Sequence, residues 1–264
     1  MNPWLLLLTG WAAMALVMAA IWAIQYRRGY AGIVDAAWAL GIGALSIFFC
    51  AAAEGYEPRQ VLIAAIAGFW ALRLGVHLLR RVLGGPEDGR YQAMRRRWGP
   101  KTQPYLFIFF QIQAIWSVLF AAPMLIAARN GEQPLGLLDA AAVLVWALSI
   151  LGESVADRQL ARFRANRSNR GQVCRSGLWR YSRHPNYFFE WFHWWAYVLL
   201  GWQAPWGALT LMGPALMLVF LLKITGVPPT EAQALASRGD AYREYQRTTS
   251  VFFPWPPKQQ ETRS

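Results

Sequence analysis

The chain has 264 residues, 56% of them drawn from AVILMFWYC and 15% charged, with fifteen Trp and fourteen Phe beside three His and two Cys. The apolar residues come in blocks of about 20, more greasy surface than a soluble domain of this length can hide. A disulfide scaffold is excluded, because Cys50 lies in an apolar block and Cys174 in a basic stretch, and the formal charge of +12 has no meaning until its location is known.

Seven apolar segments follow one another at residues 3–24, 31–53, 61–83, 105–127, 135–151, 187–202 and 205–224. Each is near the roughly 20 residues that carry a helix across about 30 Å of hydrocarbon. The first is too long for a signal peptide and has no Lys or Arg before it, so it counts as a helix. The prediction is an all-α polytopic membrane protein, a single domain over residues 1–264 with seven transmembrane helices.

The connections alternate in charge. Arg27 and Arg28 occupy the first. The second holds Glu54, Glu57 and Arg59, and the fourth only Arg129 and Glu132. The third, residues 84–104 with the two arginines before it, carries Arg80, Arg81, Arg90, Arg95, Arg96, Arg97 and Lys101 against Glu87 and Asp88. The fifth, residues 155–186, carries eight arginines against Asp157. With seven crossings every basic loop falls on one side. The positive-inside rule then predicts an outside amino terminus and a cytoplasmic tail at residues 227–264. Topology and anionic headgroups account for much of this charge. No zinc-ligand spacing, glycine-rich clamp or long basic helix points to nucleic acid.

Ionisable groups inside spans are costly and belong against protein or a wet cavity. Asp35 and Trp38 share a face of the second span. Arg73 and His77 form an i,i+4 pair in the third. Glu54 sits at the far end of the second, Glu153 at the inner end of the fifth, and Glu190 and His193 in the sixth. Interhelical hydrogen bonding for Arg73 and His77, and pairing of Asp35 with Arg27 or Arg28, are the plain alternatives. Asn186, Glu190 and His193 can line one polar stripe in a segment otherwise packed with Trp and Phe.

The densest feature is Gly177-Leu-Trp-Arg-Tyr-Ser-Arg-His-Pro-Asn-Tyr-Phe-Phe-Glu190. Pro185 suits the first turn of a helix, with His184 near its cap. Exposed N–H groups with Arg180 and Arg183 would suit a phosphate or pyrophosphate, which the planar arginine fork engages through two oxygens. No soluble-type nucleotide motif is present. In the tail, Pro228-Pro-Thr-Glu231 offers Thr230 as a helix cap, and Tyr242 and Tyr245 follow on nearby faces of an amphipathic segment.

This segment, with Val34-Asp-Ala-Ala-Trp38, Leu72-Arg-Leu-Gly-Val-His-Leu-Leu-Arg-Arg81, Glu87-Asp-Gly-Arg-Tyr91 and Arg238-Gly-Asp-Ala-Tyr-Arg-Glu-Tyr245, resembles the bacterial branch of the steroid 5-alpha-reductase superfamily. The resemblance implies a seven-helix membrane enzyme that uses NADPH to saturate the 4,5 double bond of 3-oxo-4-ene steroids. It puts Asn186 and Glu190 at the nicotinamide-bearing end, with Tyr181, Arg183 and His184 in the adjoining motif. Asp157 and Arg164 would hold ribose, adenine or phosphate, and Tyr245 would close the pocket. Arg180, Tyr242, Glu153, Arg97, Lys101, Asp88 and Tyr91 complete the expected cofactor-side set. Steroid-specific members use a glutamate in the second span and a tyrosine in the third. This chain offers Asp35 and Glu54 in or beside the second, and Arg73 and His77 in the third, as candidates to polarise the substrate carbonyl. The Arg-His-Pro-Asn-Tyr motif is also similar to that of isoprenylcysteine methyltransferases, which use S-adenosylmethionine.

The expected chemistry is hydride transfer from NADPH to the beta carbon of an enone in a lipophilic, steroid- or isoprenoid-like substrate, by a monomer and without a metal. A methyltransferase and a non-enzymatic lipid transporter or binding protein stay open as alternatives.

Overall fold

The computed structural model describes residues 2–258. All regular structure among them is helical. Six helical stretches are long and apolar enough to cross a membrane: Pro3–Arg28, Ile33–Ala52, Glu57–Gly84, Gly89–Ala128, Leu137–Ala165 and Gly207–Arg238. Contacts divide the chain into two compact units, Met1–Asp139 with Leu200–Met212, and Ala140–Leu199 with Gly213–Ser264.

In the first unit, α1 (Pro3–Arg28) starts on a proline, with the Asn2 side chain accepting from the Trp4 N–H at 2.9 Å, and ends at Gly29 in the left-handed conformation. Next come α2 (Ile33–Ala52) and α3 (Glu57–Gly84). A shorter α4 (Gly89–Trp98) is capped by Asp88, whose carboxylate accepts from the Arg90 N–H at 2.9 Å. The long α5 (Thr102–Ala128) completes the set. Helices α2 and α3 approach closely because small residues meet: a Cβ added to Gly43 would lie 2.3 Å from that of Ala71. Trp38 of α2 packs edge-on against Trp70 of α3 and Phe120 of α5.

The ends of this unit keep the alternation read from charge. At one end the Ala31 N–H donates to Glu87, Arg95 donates to the Gly29 carbonyl, and Gln25 donates to Gln103. At the other the Tyr56 N–H donates to the Asn130 carbonyl, Gln60 donates to the Ala53 and Ala128 carbonyls, and Asn130 donates to the Leu200 carbonyl. Outward-facing Trp4, Leu16, Val61, Leu72, Leu83 and Leu137 are exposed, a surface that hydrocarbon covers and water does not.

The second unit contains most of α6 (Leu137–Ala165), α7 (Pro185–His193), α8 (Trp195–Gly201), α9 (Met212–Val219), α10 (Val227–Arg238) and α11 (Asp240–Thr248). Four expectations change, three of them in this unit. The apolar run 187–202 is broken at Trp194, whose N–H turns back to the Trp191 and Phe192 carbonyls, and neither half reaches spanning length alone. The basic segment 155–186 is helical as far as Ala165. Between residues 84 and 104 the chain forms α4. The start of α10 also differs: it begins at Val227, because Pro228 and Pro229 fit a first turn that needs no N–H. Thr230 therefore lies inside the helix and donates to the Gly226 carbonyl at 2.8 Å. Of the tail expected at 227–264, residues 259–264 lie outside the described residues.

Candidate functional site

Asn186 stands in the first turn of α7, where Pro185 starts the helix at no hydrogen-bond cost. Its side-chain amide donates to Asp157 of α6 at 3.2 Å. Its Oδ1 is buried with no hydrogen-bond partner among the described residues. Glu190, 8% exposed, follows one turn later. A Cβ on Gly152 would meet the Phe189 ring at 2.3 Å, so α6 and α7 run past each other in close contact and antiparallel. Glu153 consequently stands level with Glu190, as Asp157 does with Asn186. Glu153, Asp157 and Arg164 recur on one side of α6. Arg164, Arg180 and Tyr181 are exposed.

The other residues of the motif are occupied. Arg183 is nearly buried and donates from Nε to Glu231 at 2.7 Å and from Nη1 to the Gln246 and Thr249 carbonyls at 3.0 and 2.6 Å. His184 lies 3.2 Å from the same Glu231 oxygen. Tyr242 and Gln246 donate to that carboxylate too, at 3.3 and 2.7 Å. Glu231, to which the sequence assigned no role, is the hub that four groups share. Tyr245 is buried and donates to the Trp179 and Ser182 carbonyls. Burial pushes both phenols up, and the Glu231 charge raises Tyr242 further, so both remain donors. Tyr245 thus fastens α11 to the 179–182 turn. The tail continues the clasp: the Arg183 N–H donates to the Ser250 carbonyl, Ser182 to that of Phe252, and the Trp255 N–H to that of Tyr181. Phe252 wedges between Phe188 and Trp191.

Arg183 and His184 both face Glu231, so their first role in this structure is to hold α10 and the tail. Arg183→Met should therefore act on tail docking: limited proteolysis is expected to release a fragment containing α11 many times faster than in the parent chain. Glu231→Gln, which keeps an acceptor but removes the charge, should give an intermediate rate. Equal cleavage rates for parent and both variants would show that the clasp does not depend on this hub.

In the first unit, Asp35, Asp88 and Tyr91 come together around Arg90, which the sequence did not single out. Arg90 donates to Asp35 at 2.9 Å and to Asp88 at 3.2 Å, and the Tyr91 hydroxyl donates to Asp35 at 2.7 Å. Arg81 donates to Asp88 at 2.8 Å. Burial works to raise the Asp88 carboxyl, but the Arg90 N–H, the Arg90 guanidinium and Arg81 outweigh it and hold it below its usual range. The sequence alternative of Arg27 or Arg28 as the partner of Asp35 gives way to Arg90. Glu87 accepts from Arg95 at 3.0 Å in the same network. These contacts tie α2, α3 and α4 at the basic end and give each Asp35 oxygen a donor, Tyr91 to Oδ1 and Arg90 to Oδ2.

Glu54 follows the opposite end of α2, roughly 25–30 Å along the helix from Asp35 at 1.5 Å per residue, and cannot share a site with it. Arg73 and His77 do fall together. With Phe69, Leu72, Val76 and Arg80 they line a groove of about 370 Å³ on one face of α3, within the usual range of small-molecule sites. Arg97 and Lys101 are exposed at the end of α4 and in the turn after it.

No solved structure matches the chain. An uncharacterized protein of Schizosaccharomyces pombe is 27% identical over 208 residues, covering 69% of this chain and 60% of the relative. The chain thus spans about 60% of the length of that relative. A family described as protein of unknown function, DUF1295, matches residues 21–249. With most of its length covered by that match, this helical membrane protein belongs to the DUF1295 family.

Proposed function

We propose that the chain is an NADPH-dependent membrane reductase that saturates the C=C bond of an enone in a lipophilic substrate, with a 3-oxo-4-ene steroid as the first compound to try. The observation that carries this is the buried, unpartnered Asn186 Oδ1 at the start of α7. A buried acceptor without a partner destabilises by about 1–3 kcal/mol, and the amide N–H donors of a nicotinamide dinucleotide are of the kind it lacks. Arg164 and Arg180 are exposed nearby in sequence and suit phosphate. The resemblance of residues 177–190 to the reductase superfamily points the same way.

NADPH, when bound, would supply the hydride to the beta carbon, and a proton from solvent would complete the alpha carbon. Asn186, steadied by Asp157, orients the carboxamide or base that it accepts from. His77 is assigned to the substrate oxygen, where negative charge develops, and its ring N–H provides the donor. Phe69, Leu72 and Val76 give the lipophilic body of the substrate an apolar surface beside that donor. Seven crossings follow if α7 and α8 act as one broken span. The segregation of basic loops at one end of the first unit then favours an outside amino terminus in a bacterial inner membrane.

The test is titration of the detergent-purified protein with NADPH, NADH and S-adenosylmethionine, read by thermal shift, then NADPH oxidation with 3-oxo-4-ene steroids. Saturable binding of NADPH with turnover supports a reductase. Binding of S-adenosylmethionine alone replaces it with a methyltransferase, and no binding of any of the three removes both. Asn186→Leu should lower NADPH affinity about tenfold or more. Because leucine removes the unpaired acceptor together with the hydrogen bond to Asp157, the two changes offset and the ligand-free variant should melt close to the parent. A variant that melts lower yet binds NADPH normally would assign Asn186 to structure alone.

A further inference from the structure

The six residues of the α3 groove occur in a definite order along the helix. Arg80 lies one turn from the C-terminal end at Gly84, His77 and Val76 a turn deeper, then Arg73 and Leu72, then Phe69. The lining has three apolar side chains and three nitrogen-bearing ones, and no acid. Phe69 and Leu72 are 47% and 60% exposed, so the apolar part opens laterally, as access from a bilayer requires.

Arg80 differs from its neighbours. Arg81 is taken by Asp88, Arg90 by Asp35 and Asp88, and Arg95 by Glu87. Arg80 lines the groove, and among the described residues it makes no hydrogen bond or ion pair. Seven residues of helix separate it from Arg73, and three separate it from His77, or about 10 Å and 5 Å of rise. A volume of about 370 Å³ accommodates a compact small molecule and falls short of a two-chain phospholipid.

Taking His77 as the acceptor-binding residue of the reductase proposed above, we infer that the groove selects an anionic amphiphile: an enone whose lipophilic body carries one carboxylate or phosphate, held by Arg80 at the mouth. The body lies on Val76, Leu72 and Phe69, and the acidic group stays at the polar end of the span, where an arginine is least costly. A guanidinium–carboxylate hydrogen bond in such a place is strong enough to decide between an acid and its ester.

The experiment compares one enone in two forms, a long-chain 4-oxo-5-enoic acid and its methyl ester, on the full-length protein. The ketone and acid lie at one end of the molecule, matching the short rise from His77 to Arg80, and the chain reaches Leu72 and Phe69. The acid is expected to be favoured about tenfold or more in kcat/KM. In Arg80→Gln the acid-to-ester ratio should fall toward one, and in Arg80→Glu it should invert, whereas Arg80→Lys should keep part of the preference. Equal reduction of acid and ester by the parent chain would overturn the inference and leave the reductase standing. If neither compound is reduced, the reductase fails for this acceptor class and binding decides the groove. Thermal stabilisation by the acid but not the ester, lost in Arg80→Gln, upholds it. Stabilisation by both alike or by neither overturns it. Arg80-dependent stabilisation by phosphatidylglycerol, with none by the acid, would make the groove a phospholipid site and overturn it as well.

Discussion

His77→Ala is expected to lower kcat for enone reduction by about 10²–10³-fold while leaving NADPH affinity within about twofold of the parent. The asymmetry follows from where the side chain sits. His77 lines the α3 groove with Arg73 and Arg80, whereas the residues assigned to the cofactor lie on α6, α7 and the turn before α7. A donor to the substrate oxygen is worth most when charge has built up there, so its loss appears in the chemical step and little in binding. His77→Gln retains an N–H donor of similar reach and should recover a measurable part of the rate, which a purely structural role for the ring would not allow. The measurement is single-turnover NADPH oxidation at saturating cofactor, with cofactor binding titrated separately. Turnover by His77→Ala equal to the parent would remove His77 from the mechanism. Loss of NADPH binding in step with turnover would make the residue structural.

Hydropathy and charge made the helical membrane architecture readable, because a spanning helix must satisfy every backbone group within itself and so leaves a long apolar block in the sequence. The same signal does not encode where a helix stops inside such a block. Residues 187–202 are mostly apolar on both sides of the break at Trp194, with Glu190 and His193 the polar exceptions. Nor does it register a helix that leaves the apolar zone, as α6 does over Val155-Ala-Asp-Arg-Gln-Leu-Ala-Arg-Phe-Arg-Ala165. That stretch is rich in strong helix formers, and this was the signal that could have extended the prediction.

Candidate residues were legible by type and less so by role. Asp35, Asp88 and Tyr91 were singled out and do come together, but the residue that joins them, Arg90, is 55 positions from Asp35. Arg183 and His184 read as anion binders because their motif precedes a helix. Their partner Glu231 lies 48 and 47 positions away, and only tertiary structure brings it there. An arginine cannot be assigned to a ligand from sequence while an acid elsewhere in the chain is free to claim it.

The largest stability effect is expected at a pair no functional motif contains. Arg59 and Asp139 have side chains only 2% and 6% exposed and meet in a two-point contact, Nε to Oδ1 at 2.6 Å and Nη2 to Oδ2 at 2.8 Å. Arg59 Nη1 also donates to the Asn130 and Glu132 carbonyls at 3.2 and 2.7 Å, and Asp139 accepts from the Gly136 N–H at 2.8 Å. One guanidinium therefore ties the start of α3 to the 130–132 turn and to the first turn of α6. Arg59→Met leaves a buried carboxylate without its cation, and a loss of about 3–5 kcal/mol is expected. Asp139→Leu strands the cation and should cost about the same. The double variant should recover much of the sum, because exchanging both charges for apolar groups removes the burial penalty along with the attraction. Recovery should remain incomplete, since the Asn130 and Glu132 carbonyls still lack their donor and each unmet acceptor is worth about 1–3 kcal/mol. Unfolding in mixed detergent micelles, followed by circular dichroism for the parent, both single variants and the double, measures this coupling directly. Additive losses would mean that the two charges do not stabilise through each other, and the clamp would then reduce to the backbone contacts of Arg59.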